Sequence, residues 1–266
     1  MAHALKVWPL LTGTIRYEKT VSTRGRGHGT FINAPILAYL IETSNGRILY
    51  DAGCDYRKLV DPALCARYFD PMRPQVEPPQ MHEGQRIPSY LACLGLRPSD
   101  IDLVFIGHLH FDHAGGLCDL PGCEVHVQAD ELAAARTGAD GGVFTDEWAN
   151  ADQWRIKAGE YPVAPGVHAI ASPGHTAGHM SLFIELQKRE GSGKSGPVIL
   201  CGDAADLSEN IEEEIAPGYC WQNDDALALA SIRKLKALAR REDAELWPNH
   251  DMDFFRRLPS FPEWRG

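Results

Sequence analysis

Three histidines and an aspartate occupy four of the first six positions of the segment HLHFDHAGG, which runs from His108 to Gly116. Neutral imidazoles and carboxylates are common ligands of zinc and related divalent ions. Alternate residues of such a loop can face one ion while Asp112 and His113 face another, so the spacing fits two adjacent sites. A single histidine is usually a surface or core residue, but the whole cluster predicts a metal centre.

An apolar run, IDLVFIG, from Ile101 to Gly107, directly precedes the cluster and predicts a β-strand that ends at the histidines. In α/β sheets, ligands usually bind at the carboxyl ends of the strands. Two earlier runs, APILAYLIET and GRILYDAG, flank Ser-Asn-Gly and predict a hairpin whose second strand delivers Asp51 to a glycine turn. The rest of the chain alternates strands with helices, most clearly a helix from Asp224 to Arg241, so an α/β layered fold is predicted.

With 266 residues and 44% hydrophobic content, the chain can bury the core of a single domain that spans residues 1–266. From about Tyr56 to Leu96 the composition changes to proline, arginine and glutamine mixed with short helical patterns. This change predicts a cap or insertion over the sheet at about 56–96, which would border a substrate pocket.

The formal charge of -10, from 26 Lys and Arg against 36 Asp and Glu, argues against nucleic acid as a partner because it would repel a phosphate backbone. The first residues, MAHALKVWPLLTG, lack a convincing signal peptide, and no stretch approaches the ~20 apolar residues of a membrane span. We therefore expect a cytoplasmic protein without a membrane partner, either a monomer or a homodimer. Seven cysteines, an odd number, do not indicate a disulfide framework.

The segment HLHFDH resembles the HxHxDH signature of the metallo-β-lactamase superfamily, and SPGHTAGHMSL, ILCGDAA and WPNHD resemble its later ligand loops. This resemblance covers nearly the whole chain and implies an αβ/βα sandwich, in which two mixed β-sheets are flanked by helices and the metals lie at one edge. It implies two zinc ions per chain, although cobalt, manganese or iron also suit such ligands. The implied ligands are His108, His110 and His175 for the first ion, Asp112, His113 and His250 for the second, and Asp203 as a bridge.

The resemblance also implies a reaction, the hydrolysis of an acyl bond by a metal-bridging hydroxide. A metal ion can lower the pKa of its bound water to roughly 7 and polarise a carbonyl group. Within the superfamily the chain looks most like the N-acyl homoserine lactonases, because of its length, its YLIET and YDAG strands and its HDMDFF run. We therefore expect it to open the ring of an N-acyl homoserine lactone, which would be a quorum-quenching activity.

Two alternatives stay open at this point. The chain also resembles 4-pyridoxolactonase in SPGH and NHDMD, so the substrate of a catabolic reaction, another small lactone or an ester, is one alternative. The other is a non-hydrolytic domain that binds two iron ions, as in superfamily members that carry a flavin module, although the sequence contains no such module.

One position departs from the lactonase pattern, since Asp206 stands three residues after Asp203, where these lactonases usually place a tyrosine. An ionised carboxylate repels a developing oxyanion instead of donating a hydrogen bond to it. We predict that Asp206 lines the pocket and contacts the substrate, as a proton donor if nearby charge raises its pKa. An exposed turn carboxylate is the competing interpretation. Asp112 and Asp206 are thus the candidate catalytic residues.

Three further residues have predicted roles outside the ligand set. His179 lies in the second histidine loop but matches no ligand position, so we expect it to form hydrogen bonds that support the site. Arg24 and Arg26 lie in a glycine-rich loop, where they either orient an acidic substrate or are simply solvated, and we favour solvation.

Overall fold

The computed structural model describes residues 4–148, 154–186 and 196–266 as a sandwich of two β-sheets with helices on the outer faces. The eleven strands are β1 Ala4–Glu18, β2 Phe31–Thr43, β3 Gly46–Tyr50, β4 Leu103–Phe105, β5 Glu124–Gln128, β6 Trp154–Lys157, β7 Tyr161–Ala164, β8 Val167–Ala171, β9 Met180–Ile184, β10 Val198–Leu200 and β11 Glu245–Trp247. The α-helices of the described residues are α1 Tyr56–Val60, α2 Pro62–Phe69, α3 Ile87–Cys93, α4 Phe111–Ala114, α5 Ala129–Ala135, α6 Thr145–Trp148, α7 Ser208–Glu213, α8 Asp225–Glu242 and α9 Met252–Phe255.

Both sheets are mixed. In the first sheet the order is β1-β2-β3-β4-β5-β6, where β1, β2 and β3 pair antiparallel and β3 to β6 pair parallel. In the second sheet the order is β11-β10-β9-β8-β7, and only β10 and β11 pair parallel. The predicted hairpin is β2 and β3, and the predicted helix from Asp224 to Arg241 is α8, displaced by one residue.

The core lies on both sides of the first sheet, which explains the long apolar run in β2. Residues 34–41 of this strand are all buried. Leu37 and Tyr39 face the second sheet and share one apolar cluster with Leu182 and Trp247, whereas Leu40 belongs to the cluster on the outer face. Both faces of this strand are in apolar surroundings, so polar and apolar residues do not alternate along it.

Residues 56–96 form α1, α2, α3 and short turns between β3 and β4. Isolated bridges join this segment to β1, at Thr14 with Gln80 and at Tyr17 with Val76. Its aromatic side chains also pack beside the histidine loop, since Phe69 lies edge-on to Phe111 with ring centroids 5.3 Å apart. The segment is therefore attached to the edge of the sandwich where the histidines lie. No helix among the residues that the structure describes is both long and apolar enough to cross a membrane.

Two glycines let the histidine-bearing helix α4 lie directly against the turn that follows β3. The backbone N–H of Ala52 donates to His113 O at 2.8 Å, and that of Gly116 donates to Gly53 O at 2.8 Å. A Cβ atom on Gly115 would collide with the Asp55 backbone, and one on Gly116 with the Ala52 carbonyl. Glycine is required here for close approach of two backbones.

The substitution Gly116→Ala should therefore lower the free energy of unfolding by about 1–3 kcal/mol, as overpacking does elsewhere, and reduce metal binding by moving α4. Urea unfolding and metal analysis of the purified protein would measure both effects. Gly141→Ala is the matched control, since its Cβ would meet no atom within 4 Å. Equal stability of the two variants would contradict this account of the glycines.

Candidate metal centre

The seven side chains predicted as metal ligands come from four separate segments of the chain and meet at one edge of the sandwich. One segment runs from the end of β4 into α4, one lies between β8 and β9, and the other two follow β10 and β11. All seven are buried, with at most 9% of any residue exposed: His108, His110, Asp112, His113, His175, Asp203 and His250.

The first group contains three imidazoles and one carboxylate. The Nδ1 atom of His110 lies 3.0 Å from the Nε2 atoms of both His108 and His175. Asp203 Oδ2 lies 3.6 Å from His108 Nε2 and 3.4 Å from His175 Nε2. Four donors at about 2.1 Å from a central ion in tetrahedral geometry are roughly 3.4 Å apart, so these spacings fit a zinc-sized ion.

The second group shares Asp203 with the first. His113 Nε2 lies 3.3 Å from Asp203 Oδ1, and His250 Nε2 lies 3.3 Å from Asp203 Oδ2. Asp112 Oδ2 completes this group at 3.8 Å from His113 Nε2 and 3.7 Å from His250 Nε2. The first group, and Asp112, His113 and His250 of the second, lie within the distances at which such side chains hold a metal ion. The donor types also fit, because imidazole and carboxylate are ligands for the same divalent ions.

Two carboxylates orient ligand histidines through the ring nitrogen that faces away from the donor groups. His113 Nδ1 lies 2.7 Å from Asp51 Oδ2, and His110 Nε2 lies 3.0 Å from Asp140 Oδ2. Such bonds fix the tautomer and the ring orientation of a metal-binding histidine. The sequence pattern predicts that Asp51 lies at a glycine turn but indicates no role for it, and no pattern pointed to Asp140.

A backbone carbonyl orients His250, and a side-chain amide holds Asp203. His250 Nδ1 lies 2.8 Å from Pro35 O, which leaves Nε2 free to face Asp203. Asn249 donates from Nδ2 to Asp203 Oδ1 at 3.0 Å. Apart from the presence of Asn249 in the WPNHD segment, no feature of the sequence predicts these contacts.

His179 supports Asp203 in the manner expected of a residue outside the ligand set. Its Nε2 accepts a hydrogen bond from the Asp203 backbone N–H at 2.9 Å, and its Nδ1 lies 2.9 Å from Ser172 Oγ. Burial lowers the pKa of His179 to about 4, so the ring is neutral and can accept that bond.

Glu131 joins the two histidine loops and was not predicted. Its Oε1 accepts from Leu109 N at 2.9 Å, and its Oε2 accepts from Thr176 Oγ1 at 2.6 Å and from Gly178 N at 3.0 Å. Leu109 lies between two ligand histidines, and Thr176 directly follows His175. One buried carboxylate therefore sets the distance between the loops that form the first donor group.

A cavity of about 590 Å³ opens beside the two donor groups. Its volume is within the usual range for small-molecule sites. One wall carries polar ligand residues, and another is apolar, formed by Ile15, Val21, Met72, Pro74, Val76 and Phe111. Tyr17 and Tyr219 add phenol rings, and Arg73 is the one lysine or arginine that lines the cavity among the residues described.

Asp206 is 3% exposed and lines this cavity, so the competing interpretation of an exposed turn carboxylate is wrong. Burial, followed by repulsion from Asp203, raises the pKa of Asp206 to about 7. Its contact with a substrate stays a prediction.

Arg24, which was predicted to be solvated, is partly exposed, with 36% of its side chain accessible, and also makes specific contacts. Arg24 donates from Nη1 to Gly218 O at 3.0 Å, from Nε to Asp225 at 3.2 Å and from Nη2 to Asn223 at 3.3 Å. It therefore fastens the glycine-rich loop to the segment that carries Tyr219. Arg26 is half-exposed and pairs with Glu213.

A sequence profile of the Metallo-beta-lactamase superfamily matches residues 33–250, a range that includes all seven predicted ligands. The chain belongs to the metallo-beta-lactamase superfamily. This membership and the predicted fold of two mixed sheets flanked by helices are confirmed. In this superfamily fold, the histidine and aspartate groups described above imply a divalent metal centre.

Known proteins within the superfamily are similar to the chain over most of its length. It is 35% identical to an N-acyl homoserine lactonase of Bacillus sp, with 89% of each chain covered. It is 26% identical to an N-acyl homoserine lactonase of Rhizobium radiobacter, with 98% of each covered. A solved N-acyl homoserine lactone hydrolase, with the product N-hexanoyl-L-homoserine at its catalytic metal center, superposes with a TM-score of 0.86. That structure is 31% identical, and the match covers 98% of this chain and 99% of the other.

The orienting bond from Asp51 to His113 generates a prediction. Asp51 accepts from Gly107 N at 2.8 Å as well as facing His113 Nδ1, and Asp51→Asn leaves only one acceptor oxygen for these two donors. Asparagine tolerates the positive φ of 61° at this residue. We expect a loss of about 10–100-fold in metal affinity, the usual effect of removing such a partner.

Competition with a chelating dye would measure this loss. The matched control is Glu124→Gln, which alters a carboxylate that lies 2.9 Å from Nε2 of His126, a histidine outside both donor groups. The orienting role would be refuted if Asp51→Asn and Glu124→Gln retained the same affinity.

Proposed function

We propose that this protein is a dinuclear metal-dependent hydrolase that opens the ring of a lactone, with N-acyl homoserine lactones as its substrate class. The observation that carries the proposal is the pair of buried donor groups at the wall of a 590 Å³ cavity, with Asp203 close to histidines of both groups. Membership of the superfamily and similarity to N-acyl homoserine lactonases over 89% of the chain support the substrate class.

The proposed occupants of the centre are two zinc ions. His108, His110 and His175 would hold the first ion. Asp112, His113 and His250 would hold the second ion, and the two ions would share Asp203. When bound, the ions would supply an activated water and polarisation of the lactone carbonyl. The first group, rich in imidazole, suits zinc well.

The cavity walls orient the substrate by their chemistry. We assign the acyl chain of the lactone to the apolar wall, where each buried methylene is worth about 0.8 kcal/mol. Phe111 belongs to this wall and lies between His110 and Asp112 in the sequence, and its ring stacks on Phe144 at 5.2 Å and 18°. These packed rings exclude water from one side of the site. Met72, Pro74 and Val76 of the apolar wall belong to the proposed cap at 56–96.

Ring opening needs a proton for the departing ring oxygen. Hydrolysis adds water across the ester bond, so the proton that the attacking water loses must reach the alkoxide of the product. Asp112 lines the cavity, and one of its oxygens faces the second donor group. We assign the transfer of this proton to the Asp112 carboxylate, which would act as a base first and as an acid afterwards.

The assay that tests the function is proton release by zinc-loaded protein on N-acyl homoserine lactones, aromatic lactones and simple aryl esters. We expect turnover of the acyl homoserine lactones. His110→Ala should lose more than the roughly hundredfold that removal of an outer-shell partner costs, because it removes a donor of the first group.

His168→Ala is the matched control, since His168 pairs with Glu185 and lies outside both donor groups. Turnover confined to other lactones or esters would overturn the assignment of substrate class while keeping the hydrolytic centre. No turnover of any member, or full activity of His110→Ala, would overturn the hydrolase proposal itself.

The assignment of the acyl chain to the apolar wall makes a separate prediction. Met72→Trp should fill part of the cavity beside that wall and lower kcat/KM for long-chain lactones about tenfold. This loss corresponds to the free energy of burying roughly two methylenes. Short-chain lactones should be affected much less. Steady-state kinetics over a series of acyl lengths would check this, with Val60→Trp as control because Val60 is exposed and lies outside the cavity lining. A loss equal for all chain lengths would contradict the assignment.

A further inference from the structure

Asp206 lies against the second donor group through its backbone and its side chain. It follows the short turn that carries Asp203, and its carbonyl accepts from His250 N at 2.8 Å. A carboxylate oxygen of Asp206 lies within 4.8 Å of the ligand atoms of Asp203 and His250. These distances place a further carboxylate beside His250, a donor of the second group, and beside the shared Asp203.

The Oδ1 atom of Asp206 is buried and has no hydrogen-bond partner among the described residues. The described lysines and arginines form no ion pair with this carboxylate, and Asp203 and Asp112 repel it. A hydrogen bond with Ser22 and the nearby His250 offset part of this repulsion, but a histidine that binds a metal ion is neutral and no longer balances the charge. A buried anionic oxygen without a partner is costly, and nearby like charges increase that cost. The arrangement therefore calls for a cation beside Oδ1.

We propose that Asp206 Oδ1 is an additional donor to the second metal ion, an inference that rests on the metal centre of the proposed function. It gives Asp206 a metal contact in place of the substrate contact predicted from the sequence. The second site then contains the carboxylates of Asp112, Asp203 and Asp206 and the imidazoles of His113 and His250. The first site contains three imidazoles and one carboxylate.

This difference in ligands gives the two sites different preferences. Carboxylate oxygens suit harder ions such as manganese, and imidazole nitrogens suit zinc. A site with five protein donors also exceeds the four of a tetrahedral zinc site. The second site should therefore hold its ion with a higher coordination number than the first and accept manganese or cobalt more readily.

The test uses cobalt, because Co²⁺ absorbs visible light strongly in tetrahedral sites and weakly in sites of five or six ligands. In the wild-type protein we expect one Co²⁺ equivalent to give strong absorption and the other to add little. In Asp206→Asn, which keeps the size of the side chain, the weak site should lose about tenfold or more in affinity, and its remaining absorption should rise. Titration of the metal-free protein with Co²⁺ gives both readouts.

Asp119→Asn serves as the control, since Asp119 pairs with Arg86 away from both donor groups. Two equally strong cobalt bands in the wild-type protein would overturn the inference without any variant. An unchanged titration of Asp206→Asn together with a fall in lactone turnover would overturn it in favour of a substrate contact. If cobalt binding responds to Asp206 but no lactone is hydrolysed, the metal contact stands and the proposed function fails.

Discussion

The structure depends on one buried carboxylate, Asp203, which faces both donor groups. Its Oδ2 lies 3.3–3.6 Å from the ring nitrogens of His108, His175 and His250, and its Oδ1 lies 3.3 Å from that of His113. A carboxylate so enclosed is stable only where every lone pair has a partner and the charge is balanced. The fold meets this condition by bringing four loops to a single residue.

The backbone beside Asp203 is held as firmly as its side chain. Neutral His179 accepts its N–H, and Asn249 donates to its Oδ1. A Cβ atom on the preceding Gly202, whose φ is +54°, would meet the ring of His179 and the hydroxyl of Tyr50. The turn after β10 can therefore approach the histidine loops only because glycine stands at this position. Packing between the two sheets thus fixes the metal centre at their edge.

The parts of the site that could be predicted are those whose residues lie close together in the sequence. Three histidines and Asp112 lie within six residues, and the strand before them is a short apolar run, so both loop and strand could be inferred. His175, Asp203 and His250 were reached only by resemblance, since each stands alone in its segment. The orienting groups had no comparable signal, because Asp140 is 30 residues from His110 and Asp51 is 62 from His113. Nothing in spacing or periodicity links such pairs.

The contacts of Arg24 could not be predicted for a related reason. A glycine-rich loop with two arginines is usually solvated, and its fastening to residues about 200 positions away exists only in the folded chain. The fold was easier to predict than these contacts, because the hairpin of β2 and β3 and the amphipathic α8 carry their pattern in consecutive residues. Side-chain pairs across the sandwich join residues that are far apart in the sequence, so no pattern in consecutive residues predicts them.

Charge balance links the metal centre to the rest of the chain. Five aspartates are buried around it, namely Asp51, Asp112, Asp140, Asp203 and Asp206. Against the opposing effect of burial, these carboxylates raise the pKa of His110 to about 9 and of His250 to about 10. A ligand imidazole must be neutral, so metal ions and protons compete for the same nitrogens. Two divalent ions in the proposed centre would supply four positive charges, which would nearly offset five carboxylates and would explain how an acidic protein can bury them together.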